Sequence, residues 1–157
     1  MSLCLVVAQC YEDYVVMRRS AVWPPLLRLS MESDEKLKCT GRPYFNVTLM
    51  AYYADYSSDI SSDYLDMKDN KLSNLQDYID GRANYVTAAM DIIPSLPYGS
   101  SICIPELNKH YRRQIKIQVR DYSVDLKGQG FKVVDICVRS EGDSYDKAVN
   151  RLVTIYI

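Results

Sequence analysis

The sequence is poor in histidine, tryptophan and phenylalanine, with one His, one Trp and two Phe among 157 residues. A single histidine and the lack of any CxxC pair argue against a zinc site, and no other metal or cofactor is expected. Neither sign of charge is in excess: 19 Lys and Arg against 20 Asp and Glu leave a formal net charge of −1. Such a balance gives no broadly basic surface, so nucleic acid is not an expected partner. No apolar run approaches the ~20 residues that cross a bilayer. Gly-rich phosphate loops are missing too. The opening MSLCLVVAQC has no basic stretch before its short apolar run, and Gln9 stands before Cys10 where a lipoprotein signal needs a small residue. An export signal is therefore not expected. The five cysteines (Cys4, Cys10, Cys39, Cys103 and Cys137) are odd in number, which argues against a disulfide framework. Reduced thiols are expected, with Cys103 and Cys137 packed in strands as small apolar residues.

Tyrosine is what the chain has in abundance, 14 in all. Its ring packs while its hydroxyl reaches water, which suits half-buried strands and interfaces. Four regions separate by composition. Residues 1–43 read as an extended N-terminal arm, because Pro24-Pro25 excludes a continuous helix. Trp23, Leu26 and Leu27 would dock that arm on a neighbour. Residues 44–54 form the first strand. Its Asn46-Val47-Thr48 sequon is discounted, since a strand without a secretion signal is a poor glycosylation site. Residues 55–82 are an insertion rich in Asp, Tyr and Ser, mostly loop and solvated, with one or two helical turns over 72–79. Its aspartates lack the glycine and terminal glutamate of a calcium loop.

From residue 85 the pattern becomes regular. Strands are expected at 85–90, 101–104 (stopped by Pro105), 114–119, 133–138 and 152–157. Ile115, Ile117 and Val119 alternate against Lys116 and Gln118, which marks a half-buried strand. Asn108 to Arg113 reads as a basic surface turn. One short helix is expected over 144–150, with Tyr145, Ala148 and Val149 inward. The result is an all-β domain over 44–157: six strands, one short helix and the arm.

The order of its segments resembles the three-aspartate (3D) domain, a double-psi β-barrel family of lytic transglycosylase A-like cell-wall proteins, with phage-encoded members. Val86-Thr87-Ala88-Ala89-Met90-Asp91, Ile93-Pro94, Leu96-Pro97-Tyr98-Gly99-Ser100 and Ile102-Cys103-Ile104-Pro105 are similar to the family's first stretch. Val119-Arg120-Asp121, Lys127-Gly128, Val133-Val134-Asp135-Ile136 and Leu152-Val153-Thr154-Ile155-Tyr156-Ile157 follow in the family's order. The resemblance implies three site carboxyls, Asp91, Asp121 and Asp135. Asp135 would be the general acid/base of glycan cleavage, and Tyr52, Tyr53, Tyr85 and Lys127 would bind the glycan. The family's loop glycines after the second aspartate are replaced here by Ser123 and Val124. The leading expectation is therefore a structural or assembly module of a phage virion, in tail, neck or capsid, with a degenerate active site. Its partners would be other virion proteins or copies of itself. It would be made in the host cytoplasm and located in the particle. The alternative is a peptidoglycan-cleaving enzyme acting on glycan strands through Asp135.

Overall fold

The computed structural model describes residues 37–157. Expectations for the arm residues Trp23, Leu26 and Leu27, and for Cys4 and Cys10, lie outside the described residues. The described part is mostly β. One curled sheet carries six strands: β1 (Pro43–Tyr53), β2 (Val86–Ala89), β3 (Ser100–Ile102), β4 (Ile117–Asp121), β5 (Val133–Val138) and β6 (Arg151–Tyr156).

Their spatial order is β3-β4-β2-β5-β1-β6. The pairings read as a palindrome. The central pair β2–β5 is antiparallel, the pairs β2–β4 and β5–β1 on either side are parallel, and the outer pairs β4–β3 and β1–β6 are antiparallel. The edge strands come together just past β3, where the Cys103 and Tyr156 backbones exchange both hydrogen bonds. Residues 37–43 join the same seam. Arg42 and Ile157 exchange two backbone bonds, and Cys39 is disulfide-bonded to Cys103. The disulfide overturns the expectation of reduced thiols at those two positions. Spacing could not reveal it, because the partners stand 64 residues apart and meet only through the curl of the sheet. Cys137 is free and buried, as expected of a small apolar residue in a strand.

Alternation decides which face of the sheet is dry. Val47 and Leu49 of β1, Val86 and Ala88 of β2, Ile117 and Val119 of β4, Val134 and Ile136 of β5, and Val153 and Ile155 of β6 make up the core, all buried. Each such Val, Leu or Ile contributes about 1.5–3 kcal/mol when fully buried. The alternation expected from Ile115 to Val119 is present, although the strand runs later, over Ile117–Asp121.

Among the described residues there are three short α-helices, where one short helix and one or two helical turns were expected. The first, α1 (Leu75–Ile79), falls in the segment read as helical turns, and Asn74 caps it by accepting the Asp77 N–H. The second, α2 (Pro105–Tyr111), replaces the expected turn. Pro105, expected to stop a strand over 101–104 that in fact ends at Ile102, is preorganised for the first helical position. Asn108 on α2 is fully buried, and its Oδ1 accepts the Ile115 N–H at 2.8 Å. The third, α3 (Glu141–Ser144), corrects the helix expected over 144–150. Ser140 caps it by accepting the Asp143 N–H, so the helix begins earlier and gives way to turns. Ala148 and Val149 are still buried, but Tyr145 is exposed rather than inward.

Candidate active site

A β-bulge builds the site. Ala88 pairs with Val119, but Ala89 pairs with Asp121, so Arg120 is the extra residue on β4. An extra residue shifts the alternation by one and sends the following side chain to the other face. Asp121 would otherwise point with Val119 into the core. The bulge sets it in line with Ala89 instead. Ala89 is also the partner of Asp135 on β5, and Met50 of β1 lies beyond Asp135. Asp121, Ala89, Asp135 and Met50 thus form one row across four strands, on the face opposite the core.

Tyr52 sits on that face of β1, two residues past Met50. Its hydroxyl donates to Oδ2 of Asp121 at 2.9 Å. Burial, then the neighbouring Cys137 and Asp121, hold the Tyr52 hydroxyl well above its ordinary pKa, so it is a fixed donor. The other Asp121 oxygen accepts the Tyr122 N–H at 2.8 Å. Burial raises the Asp121 pKa, against the two hydrogen bonds that favour its charged form.

Asp135 differs. Its Oδ1 is buried and has no hydrogen-bond partner. Burial, reinforced by the charge of Asp125, pushes its pKa up to about 6. The other partnerless buried carboxylate oxygen among the described residues, Oε2 of Glu106, belongs to a group whose Oε1 already accepts the Thr154 N–H. Asp135 therefore holds or releases a proton near neutral pH, in the same row as, and separated by Ala89 from, a carboxyl that is hydrogen-bonded twice. Two carboxyls in such unequal surroundings are suited to different roles.

Asp91 stands apart from that row. It is buried, and its Oδ2 accepts the Gly130 N–H at 2.9 Å. This bond ties the end of β2 to the loop between β4 and β5. That loop does not require glycine at the two replaced positions. Ser123 is extended and Val124 opens a short 3-10 helix, whereas the left-handed residues of the loop are Gly128 and Gly130.

Of the expected glycan-binding residues, Tyr52 is bonded directly to one of the three aspartates, Asp121. Tyr53 is partly exposed at the end of β1. Lys127 is exposed, at the end of the 3-10 helix that carries Asp125. Tyr85 lies elsewhere, with the Arg120 guanidinium 4.7 Å from its ring centroid. It also lines a cavity of about 280 Å³ beside the Cys39–Cys103 seam, to which none of the three aspartates contributes.

Sequence reasoning missed two residues, Asp66 and Arg120. Asp66 lies in the acidic insertion read as solvated, yet it is 5% exposed. Its Oδ2 accepts from Arg120 Nε at 3.0 Å and from the Tyr98 hydroxyl at 2.8 Å, while its Oδ1 accepts the N–H groups of Lys68 and Asn70. Burial alone would raise its pKa, but these bonds together hold it down at about 2. The sequence hint was Asp66-x-x-x-Asn70, a short polar turn pattern inside a segment otherwise too polar to pack.

Among the described residues no helix is long and apolar enough to cross a membrane, and no cluster of three or more His, Cys, Asp or Glu is placed to hold a metal. Compared with family models, curated proteins and solved structures, the chain matches none.

Proposed function

We propose that this chain is a 3D-type double-psi barrel that cleaves peptidoglycan glycan strands, with Asp135 as general acid/base. One observation carries the reading: Asp135 has a buried, partnerless oxygen and a pKa near 6, in line with a Tyr52-bonded Asp121. A catalytic acid works best when its pKa is close to the working pH. The palindromic strand pairing and the order of the three aspartates support the barrel family.

In this reading Asp135 gives its proton to the glycosidic oxygen as the C1–O bond breaks. Its carboxylate then takes the proton of the sugar's own C6 hydroxyl as that oxygen bonds to C1. The product is a 1,6-anhydro sugar, Asp135 ends protonated as it began, and no water is consumed. One carboxyl therefore suffices, whereas ordinary hydrolysis uses two. Tyr52 and Asp121 hold the local charge in place, and Met50 with exposed Leu152 gives an apolar flank for sugar faces. The test is incubation of purified protein with peptidoglycan, with mass spectrometry of the soluble fraction. Anhydro-muropeptides from wild type, absent with Asp135→Asn, support the reading. No release between pH 5 and 8 ends it for the isolated chain.

The second reading is a structural or assembly module of a phage virion, with the barrel kept and the chemistry lost. It is favoured by Asp91 and Asp121 both being tied to backbone N–H groups, and by Phe45 and Leu152 at 69% and 61% exposure. Copies of the chain or other virion proteins would cover those side chains. Under this reading Asp135→Asn leaves particle assembly unchanged, and Phe45→Ser with Leu152→Ser impairs it.

A further inference from the structure

Arg120 is gripped from several directions. Its Nε donates to buried Asp66 at 3.0 Å, and its Nη1 donates to Gln118 at 3.1 Å. Its guanidinium lies between two rings, 4.7 Å from the Tyr85 centroid and 4.8 Å from that of Tyr98. Its backbone carbonyl accepts the Met67 N–H. The Tyr98 hydroxyl and Asn70 complete the bonds to Asp66, and the Lys68 ammonium caps the Tyr98 ring at 4.3 Å. Among the described residues, the hydrogen bonds and ring contacts on Arg120 from outside its own strand come from residues 66–67, Tyr85 and Tyr98.

Arg120 is also the bulge residue, and the bulge is what brings Asp121 into line with Asp135. A bulge leaves its extra residue out of the ladder, so something else must fix that residue's conformation. Here Asp66 and Met67 of the acidic insertion do so, helped by the Tyr85 and Tyr98 rings from outside it. We propose that Asp66 and Arg120 form a positioning clamp: the insertion holds the β4 bulge in place, and thereby holds Asp121 against the Tyr52 hydroxyl beside the acid/base. The role assigned to the clamp rests on the acid/base reading, but the geometry it imposes is testable without it.

The clamp differs from a simple anchor for the insertion in what its loss disturbs. A simple anchor, once cut, loosens the insertion and lowers the melting temperature. A clamp, once cut, also frees Asp121 from Tyr52. The readout is the Tyr52 hydroxyl proton in NMR spectra of the full chain, assigned with Tyr52→Phe. In wild type it is visible in slow exchange. In Arg120→Gln with an intact amide spectrum the signal is lost, and anhydro-muropeptide release falls about tenfold or more, as misplacement by about an ångström would cause. If Arg120→Gln does not fold, Asp66→Asn, which keeps the volume, carries the same test. A hydroxyl signal unchanged in either folded variant overturns the clamp, as does its absence from wild type. Failure of wild type to release muropeptides overturns the acid/base reading instead, and leaves the NMR result to decide the clamp.

Discussion

The Tyr52 hydroxyl donates a 2.9 Å hydrogen bond to Oδ2 of Asp121, joining residues 69 apart in the chain. Asp121 has its second oxygen on the Tyr122 N–H, so the pair is a closed unit, in one row with Asp135 and its buried, partnerless oxygen. Removing the tyrosine hydroxyl leaves a buried carboxylate oxygen without its donor. Tyr52→Phe should cost about 1–3 kcal/mol, the usual penalty for an unsatisfied buried acceptor. It should also raise the Asp121 pKa further, so the loss grows as pH rises and the carboxyl ionises. Urea denaturation of both proteins at acid and neutral pH measures this.

Asp135 and Asp66 bend the pH–stability curve in opposite senses. The Asp135 pKa is raised in the folded state to about 6, so its contribution is present in full below the ordinary aspartate range and is lost as pH rises toward 6. The Asp66 pKa is lowered to about 2, so its contribution is present above the ordinary range and is lost as pH falls toward 2. Asp135→Asn should therefore remove the decline between about pH 4 and 6, and be more stable than wild type at pH 7. Denaturation midpoints across pH 2–8 check both limbs.

The Cys39–Cys103 bond closes a long loop across the seam where β3 and β6 meet. In the chain-entropy account a loop of that length is worth about 4 kcal/mol. Reduction, or Cys39→Ser, should lower stability by up to that amount, and non-reducing peptide mapping should recover the 39–103 pair. The third described cysteine should behave differently. Burial pushes the Cys137 thiol up to about 12, so it should resist alkylation until the protein is unfolded.

Gly41 enters the same seam with φ of +110°, and a Cβ there would run into the Ile157 carbonyl. Gly41→Ala should destabilise by more than about 1 kcal/mol, because both the positive φ and the contact oppose it. Thermal unfolding of the oxidised variant measures the cost.

How far the sequence speaks for itself differs between the two faces of the sheet. The core face was legible: Ile115, Ile117 and Val119 alternate as buried residues, and Val133–Val138 is a strand with the expected bounds. The helix of Pro105–Tyr111 was hidden because a proline that ends one element also opens the next. Asp121 at the end of β4 and Asp135 inside β5 were named through the resemblance, but their alignment depends on the bulge at Arg120, and a one-residue shift leaves no mark in composition. Asp66 was obscured by its surroundings, since a polar segment reads as solvated unless its partners, Arg120 and Tyr98, are known. Disulfide pairing was hidden for a related reason, as the curl of the sheet and not the spacing brings Cys39 to Cys103.

Asp135, with its buried, partnerless oxygen, is the carboxyl placed to hold a proton near neutral pH. The most direct measurement is the side-chain carboxyl ¹³C shift of Asp135 followed by NMR as pH is raised, assigned with Asp135→Asn. A midpoint of about 6 is expected. A midpoint in the ordinary aspartate range, near 4, would contradict it.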